Sequence, residues 1–244
     1  MTKLNKKYRE VEKILLQDRE GLDLRWYRLR KGKSTSKKDA NKFILGAIID
    51  YQIPAQQAWD NSERLADEIL GDPDNIWEEI NKYSHKRWMG KFKQFRLHRF
   101  PKAHERIWKI GKRILEKYNG DTRNIWKDHT INNTLSNLLN LGMGKQISSM
   151  VIGALIDSHI LNGKGDVKAD LHVRRVLGRV FRAAEYLARE VDQVISLTHS
   201  IHKNNPWLLD RGLFLVGKNF CFSKRPLCTE CKFKKVCKFY FKNK

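Results

Sequence analysis

Proline and glycine are scarce in this chain of 244 residues, at five and 15. So few breakers exclude a low-complexity or linker-like chain and leave long stretches in which helices run without interruption. No apolar run approaches the ~18–20 residues that cross a bilayer. The first ten residues are charged, with no apolar segment behind them, so neither a membrane span nor a secretory leader is expected. Cysteine is missing from everything before position 221, and all four cysteines fall within the last 24 residues. A secreted disulfide framework distributes its cysteines through the fold. This clustering points instead to a cofactor in a reducing, cytoplasmic setting. Acids are also in short supply, with 27 Asp and Glu against 49 Lys and Arg, a formal charge of +22. In a merely lysine-rich surface glutamate rises alongside lysine. An unbalanced excess repels itself unless a polyanion offsets it, so nucleic acid is the expected partner.

Helical periodicity fills the space the breakers leave. Tyr8, Val11, Ile14 and Leu15 open an amphipathic helix ending near Gly21. The basic, small-residue stretch 28–38 reads as a loop, with Asp39 capping the next helix. That helix carries Phe43, Ile44, Leu45, Ala47, Ile48 and Ile49, a run dense enough to be buried on every side. Pro54 interrupts it, and a further helix with Ala58, Trp59, Leu65, Ala66, Ile69 and Leu70 stops at Gly71 and Pro73. Helices are predicted over 76–83, 102–118, 133–139, 145–159, 171–190, 190–199 and 206–218. No period-2 strand, repeat or long linker stands out, so the predicted fold class is all-α.

The cysteines are spaced Cys221-x6-Cys228-x2-Cys231-x5-Cys237. Four thiolates suit tetrahedral zinc or a cubane iron–sulfur cluster. A zinc ribbon offers two CxxC pairs and this segment offers one. The wider spacing lets the chain wrap a larger object. From Cys221 onward there are eight Lys or Arg and one acid. Lys224, Arg225, Lys232, Lys234 and Lys235 are therefore candidate phosphate contacts, against the alternative of a solvated tail.

Two further segments carry chemistry. Leu141-Gly142-Met143-Gly144-Lys145 joins two predicted helices, and glycines separated by one residue permit a tight turn that a phosphate can approach closely. About 25 residues on, after the glycine-containing loop 162–166, comes Asp170-Leu171-His172-Val173-Arg174-Arg175-Val176. Asp170 is placed to cap the following helix.

The order of hairpin, glycine loop, Asp-x-His-x-x-Arg-Val and C-terminal cysteine cluster resembles the endonuclease III-like branch of the helix-hairpin-helix DNA glycosylases. The resemblance runs from about Asp39 to Lys244, and the segment Lys224-Arg225-Pro226-Leu227-Cys228 shares in it. It implies a six-helix barrel over about 40–161 that contains the hairpin. It also implies a second helical domain, built from 1–39 and 162–244, that holds a 4Fe–4S cluster on Cys221, Cys228, Cys231 and Cys237. The implied partner is double-stranded DNA carrying a damaged or mismatched base, bound by a monomer. Asp170 matches the family's essential aspartate. Departure of a base leaves positive charge on the sugar, which a nearby carboxylate stabilises while it activates water. Gly142, Gly144, Lys145, Gln52, Lys224 and Arg225 are the implied DNA contacts, with Gln52 filling the gap left by an extruded base. Asp50, Tyr51, Ala47 and Gln146 are the implied pocket positions.

The chain also departs from the family pattern. Members that cleave the strand carry a Schiff-base lysine at the second residue after the hairpin, where this chain has Gln146. An amide forms no imine. Lys145 is one residue away, which turns its side chain by about 100°. The adenine-mismatch branch has a glutamate where this chain has Ala47, and Leu141 replaces the usual hairpin proline. The expectation is a monofunctional glycosylase acting on an alkylated or deaminated base. The alternatives are a bifunctional glycosylase/lyase and a catalytically inactive DNA-binding relative.

Overall fold

The computed structural model describes residues 3–17, 29, 34–182 and 191–243. Among them the chain is helical with no strand, as its periodicity predicts. Its contacts divide it into two compact units, one over Asp23–Gly163 and one made of Met1–Leu22 with Lys164–Lys244. The first boundary lies ahead of residue 40, and Leu29 is buried in the core of the Asp23–Gly163 unit.

That unit is built on α2 (Lys37–Ile49), of which nine residues are buried. A helix apolar on every side has to be central. Its cap is Ser36, not Asp39: the Ser36 hydroxyl accepts from the Asp39 amide at 3.2 Å and donates to the Asp39 carboxylate at 2.7 Å. Asp39 thus sits at the third helical position, hydrogen-bonded to its cap, and Lys37 and Lys38 belong to the helix instead of the loop. Against α2 lies α3 (Ala55–Glu63), which continues into a π-helical turn, Arg64–Ile69. The approach is close because position 46 is glycine; a Cβ there would stand 2.2 Å from the Trp59 ring. Phe43 stacks on the same ring at 6.1 Å.

Next come α4 (Ile76–Asn81), α5 (His85–Gly90), α6 (Phe92–Phe95), α7 (Pro101–Tyr118), α8 (Ile131–Asn140) and α9 (Lys145–Asp157). The unit has eight α-helices among its described residues, with α5 and α6 in the stretch between 83 and 102 where none was predicted. Ser84 caps α5 through the Arg87 amide. Trp88 and His104 tie this part to α7 reciprocally: each ring N–H meets the other's carbonyl, at 2.8 and 2.7 Å, and the rings stack 4.3 Å apart. Burial holds the His104 imidazole below its ordinary pKa, so it stays neutral in the stack.

The second unit joins the two chain ends. α1 (Lys3–Leu16) packs against α12 (Asp210–Asn219), and its Val11 and Leu15 share one core with Val173, Val176 and Leu177 of α10 (Leu171–Arg182) and Leu213 and Val216 of α12. α11 (Val191–Ile201) and the short α13 (Lys238–Lys242) complete it. The predicted helix over 171–190 is described as far as Arg182, and 183–190 lie outside the described residues. No helix among the described residues is long and apolar enough to cross a membrane.

Asn41, fully buried on α2, satisfies five polar groups in the first unit. Its amide donates to the carbonyls of Asp74 and Gly120, and its oxygen accepts from Trp77 Nε1 and from the amide and hydroxyl of Thr122. Asn41→Ala leaves these groups unpaired at ~1–3 kcal/mol each. The expected loss is at least about 3 kcal/mol, read as a lowered urea midpoint with an unchanged slope.

Candidate functional site

In the unit that joins the chain ends, Cys221, Cys228, Cys231 and Cys237 line one recess, with Arg179 and Phe239 among its other walls. All four are free and half-buried. Burial pushes the thiols of Cys228, Cys231 and Cys237 up, Cys231 to about 11, and their proximity to one another adds to the effect. Burial and mutual repulsion disfavour the charged form of Cys228, Cys231 and Cys237, so a cationic group in the recess would be needed to hold these three as thiolates. Among the described residues no group of three Cys, His, Asp or Glu side chains is arranged to hold a metal ion. Four cysteines on one recess make sulfur the ligand chemistry of any group held there.

Arginines on one face of α10 tie the cysteine loop to the helix. Arg179 is 4 % exposed and donates to the carbonyls of Phe222 at 2.6 Å and Ser223 at 3.0 Å, with Cys221 Sγ at 3.4 Å. Phe239 of α13 lies under its guanidinium at 4.5 Å. One turn earlier, Arg175 donates to the carbonyls of Cys221 and Gly217 and, at 3.1 Å, to His172 Nδ1. In that bond Nδ1 is the acceptor, because a guanidinium can only donate. Gly217 lets α12 approach, since a Cβ there would meet His172 Cβ at 2.5 Å.

The same helix begins at Asp170. Its Oδ1 accepts from the amides of His172 at 2.8 Å and Val173 at 3.0 Å. The cap expected from the sequence is therefore present, and Oδ2 is left without a hydrogen-bond donor among the described residues. The approach to Asp170 is fixed by side chains of α11, of the segment before α12 and of α12 itself. Asn205 Oδ1 accepts from the Gly165 amide at 2.9 Å, Asp210 Oδ1 from the Lys168 amide at 2.6 Å, and His199 meets Asp166 at 2.8 Å. Asp170, His172, Arg175 and Cys221 thus form one bonded series. Arg174 points elsewhere, to the Ala169 carbonyl, and burial lowers its pKa while Asp170 opposes the shift.

The hairpin belongs to the Asp23–Gly163 unit. α8 ends with the amides of Gly142 and Met143 bonded back to the carbonyls of Leu139 and Leu138, and Gly144 caps α9. Lys145 is exposed and Gln146 half-buried. In the same unit Asp50 ends α2, and Gln52 is exposed with a left-handed φ of 55°. Tyr51 stacks with His98 at 6.0 Å, and its carbonyl binds His98 Nε2. Ala47 is wholly buried in the core. Lys224, Arg225, Lys234 and Lys235 are exposed in the cysteine loop, while Lys232 is half-buried. The sequence did not single out Arg179; its i, i+4 spacing from Arg175, the arginine of the Asp-x-His-x-x-Arg-Val segment, on an otherwise apolar face was its only signal.

The two hairpin glycines are there for different reasons. Gly142 has φ 91°, and a Cβ would meet Arg113 Nη1 at 2.5 Å. Gly144 has φ −71°, and nothing lies within 4 Å of its missing Cβ. Gly142→Ala is expected to cost about 1–3 kcal/mol and Gly144→Ala about 1 kcal/mol or less, compared by urea unfolding.

No protein-family model matches the chain. It is 27% identical over 161 residues to endonuclease III of Rickettsia conorii (strain ATCC VR-613 / Malish 7), which covers 56% of this chain and 70% of the relative. With endonuclease III of Rickettsia felis (strain ATCC VR-1525 / URRWXCal2) it is 27% identical over 160 residues, 56% of this chain and 68% of the relative. Among solved structures, a thermostable thymine-DNA glycosylase matches with a TM-score of 0.68 at 16% identity, covering 99% of this chain and all of that one. A trapped endonuclease III–DNA covalent intermediate matches with a TM-score of 0.65 at 14% identity, covering 100% and 99%. The chain is thus similar in sequence to endonuclease III over half its length, and shares its fold with these structures over nearly all of it.

Proposed function

We propose that this protein is a base-excision DNA glycosylase that extrudes a damaged or mismatched base from double-stranded DNA and hydrolyses its N-glycosidic bond, with Asp170 as the carboxylate. The observation that carries the reading is the division of labour within that side chain. Oδ1 is committed to the α10 amides, which hold the carboxylate in one orientation, and Oδ2 has no donor of its own. A fixed oxygen with no hydrogen-bond donor of its own is what a sugar losing its base requires, first to stabilise the growing positive charge and then to take a proton from attacking water. The endonuclease III relatives and the endonuclease III–DNA structures of the same fold support DNA as the polymer.

DNA contacts fall to groups that grip phosphate without reading sequence: the first-turn amides of α9, Lys145, Lys224 and Arg225. Gly144, which the fold does not require to be glycine, gives a phosphate room to reach those amides. Gln52, exposed on a left-handed turn, is the residue placed to enter the gap in the stack, with Asp50 and Tyr51 beside it. Gln146 replaces the nucleophile that an imine needs, so water is the acceptor and no strand cleavage follows. Without that lysine, and with Ala47 in place of an acid, the chain suits bases that leave readily, alkylated or deaminated ones.

Cys221, Cys228, Cys231 and Cys237 would hold a 4Fe–4S cluster. When bound, it supplies thiolate cross-links that brace the C-terminal loop and present its lysines. Arg175 and Arg179 hold the backbone of that loop from α10, and through His172 Arg175 connects it to the helix end that carries Asp170.

Asp170→Asn tests the carboxylate cleanly, because asparagine caps a helix as well as aspartate does. Base release from duplexes each bearing one lesion, revealed by alkali cleavage, should fall at least about a hundredfold while the melting temperature holds. Undiminished release would overturn the assignment. Borohydride should trap no enzyme–DNA adduct, and a trapped adduct would restore the lyase. Purified protein should be brown and carry about four iron atoms per chain; a colourless protein loaded with zinc would remove the cluster.

A further inference from the structure

Arg113 belongs to α7 and has no part in the site as described above, yet it is built into the hairpin. Its Nη1 donates to the Leu141 carbonyl at 2.8 Å, and the same nitrogen stands 2.5 Å from where a Cβ on Gly142 would be. The guanidinium occupies the space that a side chain at 142 would fill.

A carbonyl clamp alone would not need an arginine with its fork in solvent. A guanidinium has five N–H donors, and among the described residues the Leu141 carbonyl is its only acceptor. The residue is exposed. Glu116, the carboxylate nearest to it along α7, lies 3.8 Å from Lys112 instead. Arg113 is therefore held at one nitrogen and unpaired at the rest, beside a turn with open space around Gly144 and the amide end of α9 following it. Planar donors held this way match two oxygens of one phosphate.

We infer that Arg113 is a DNA-phosphate ligand delivered to the hairpin by α7: one N–H fixes the fork on the Leu141 carbonyl and the others take a backbone phosphate. The inference rests on the hairpin's proposed role in holding DNA and adds a residue from outside the motif to it.

The test is fluorescence anisotropy of the full chain with a duplex bearing a stable abasic analogue, over a salt series, for the wild type and for Arg113→Gln, Arg113→Lys and Lys112→Gln. Arg113→Gln should bind about three- to tenfold more weakly, and its slope of log affinity against log salt should be shallower by about one. Arg113→Lys keeps the charge and loses the fork, so it should weaken binding with the slope retained. Lys112→Gln, on the same helix with its own carboxylate partner, should behave as the wild type. Weaker binding by Arg113→Gln at an unchanged slope would make Arg113 a prop for the turn and overturn the inference, as would wild-type binding by Arg113→Lys. If the wild type fails to hold the duplex at all, the DNA reading of the hairpin falls and this inference falls with it. Equal slopes for two chains that both bind would remove this inference alone.

Discussion

The cysteine loop is irregular backbone, and irregular backbone brings carbonyls that no ladder satisfies. Here two arginines from one helix face meet that need: Arg175 takes the carbonyls of Cys221 and Gly217, and Arg179 takes those of Phe222 and Ser223. The loop is thereby anchored to α10 through protein donors alone, with its sulfurs turned to one recess. Because α10 begins with Asp170, the orientation of the loop and that of the carboxylate are set by the same rigid rod. What is done at the recess and what is done at the helix start share one geometry.

This arrangement also explains why the chain ends belong together. α1 contributes Val11 and Leu15 to the core that holds α10 and α12 in place. Gly212 lets α12 come close to Leu15, and Gly217 lets it come close to His172. Two small residues on one helix, five positions apart, serve different partners: one seats the N-terminal helix and the other seats the helix that carries the aspartate. The electrostatics are arranged to the same end. Buried cations face carbonyl oxygens and a thiol sulfur, while most of the basic excess of the loop, at Lys224, Arg225, Lys234 and Lys235, is left in solvent, where it is available to a polyanion.

Much of this was legible in the sequence, for reasons that mark where legibility ends. α2 announced itself because a run apolar on all faces has one solution. Asp170 announced itself because a cap followed by a basic, amphipathic helix is a local pattern, and the cysteines because their spacing is short-range. The start of α2 was misread by choosing Asp39 over Ser36, when the two are hydrogen-bonded to each other. Helices α5 and α6, of six and four residues, were not foreseen in the stretch between 83 and 102. The residues that tie the site together were the least legible. Arg113 meets a carbonyl 28 positions away and Arg175 one 46 positions away, and a basic side chain on a helix carries no mark of such a partner.

The π-helical turn at Arg64–Ile69 has a consequence of its own. Such a turn carries one residue more than an α-turn over the same path, and its first residue, Arg64, is fastened to the carbonyls of Phe95 and Arg96. Removing a single residue there would let the segment relax to ordinary α-geometry while both flanks kept their facing. The same deletion within α2 or α10 would swing everything beyond it by about 100°. The spare residue makes this turn the place where a rigid helical scaffold can change length by one residue without turning its functional faces.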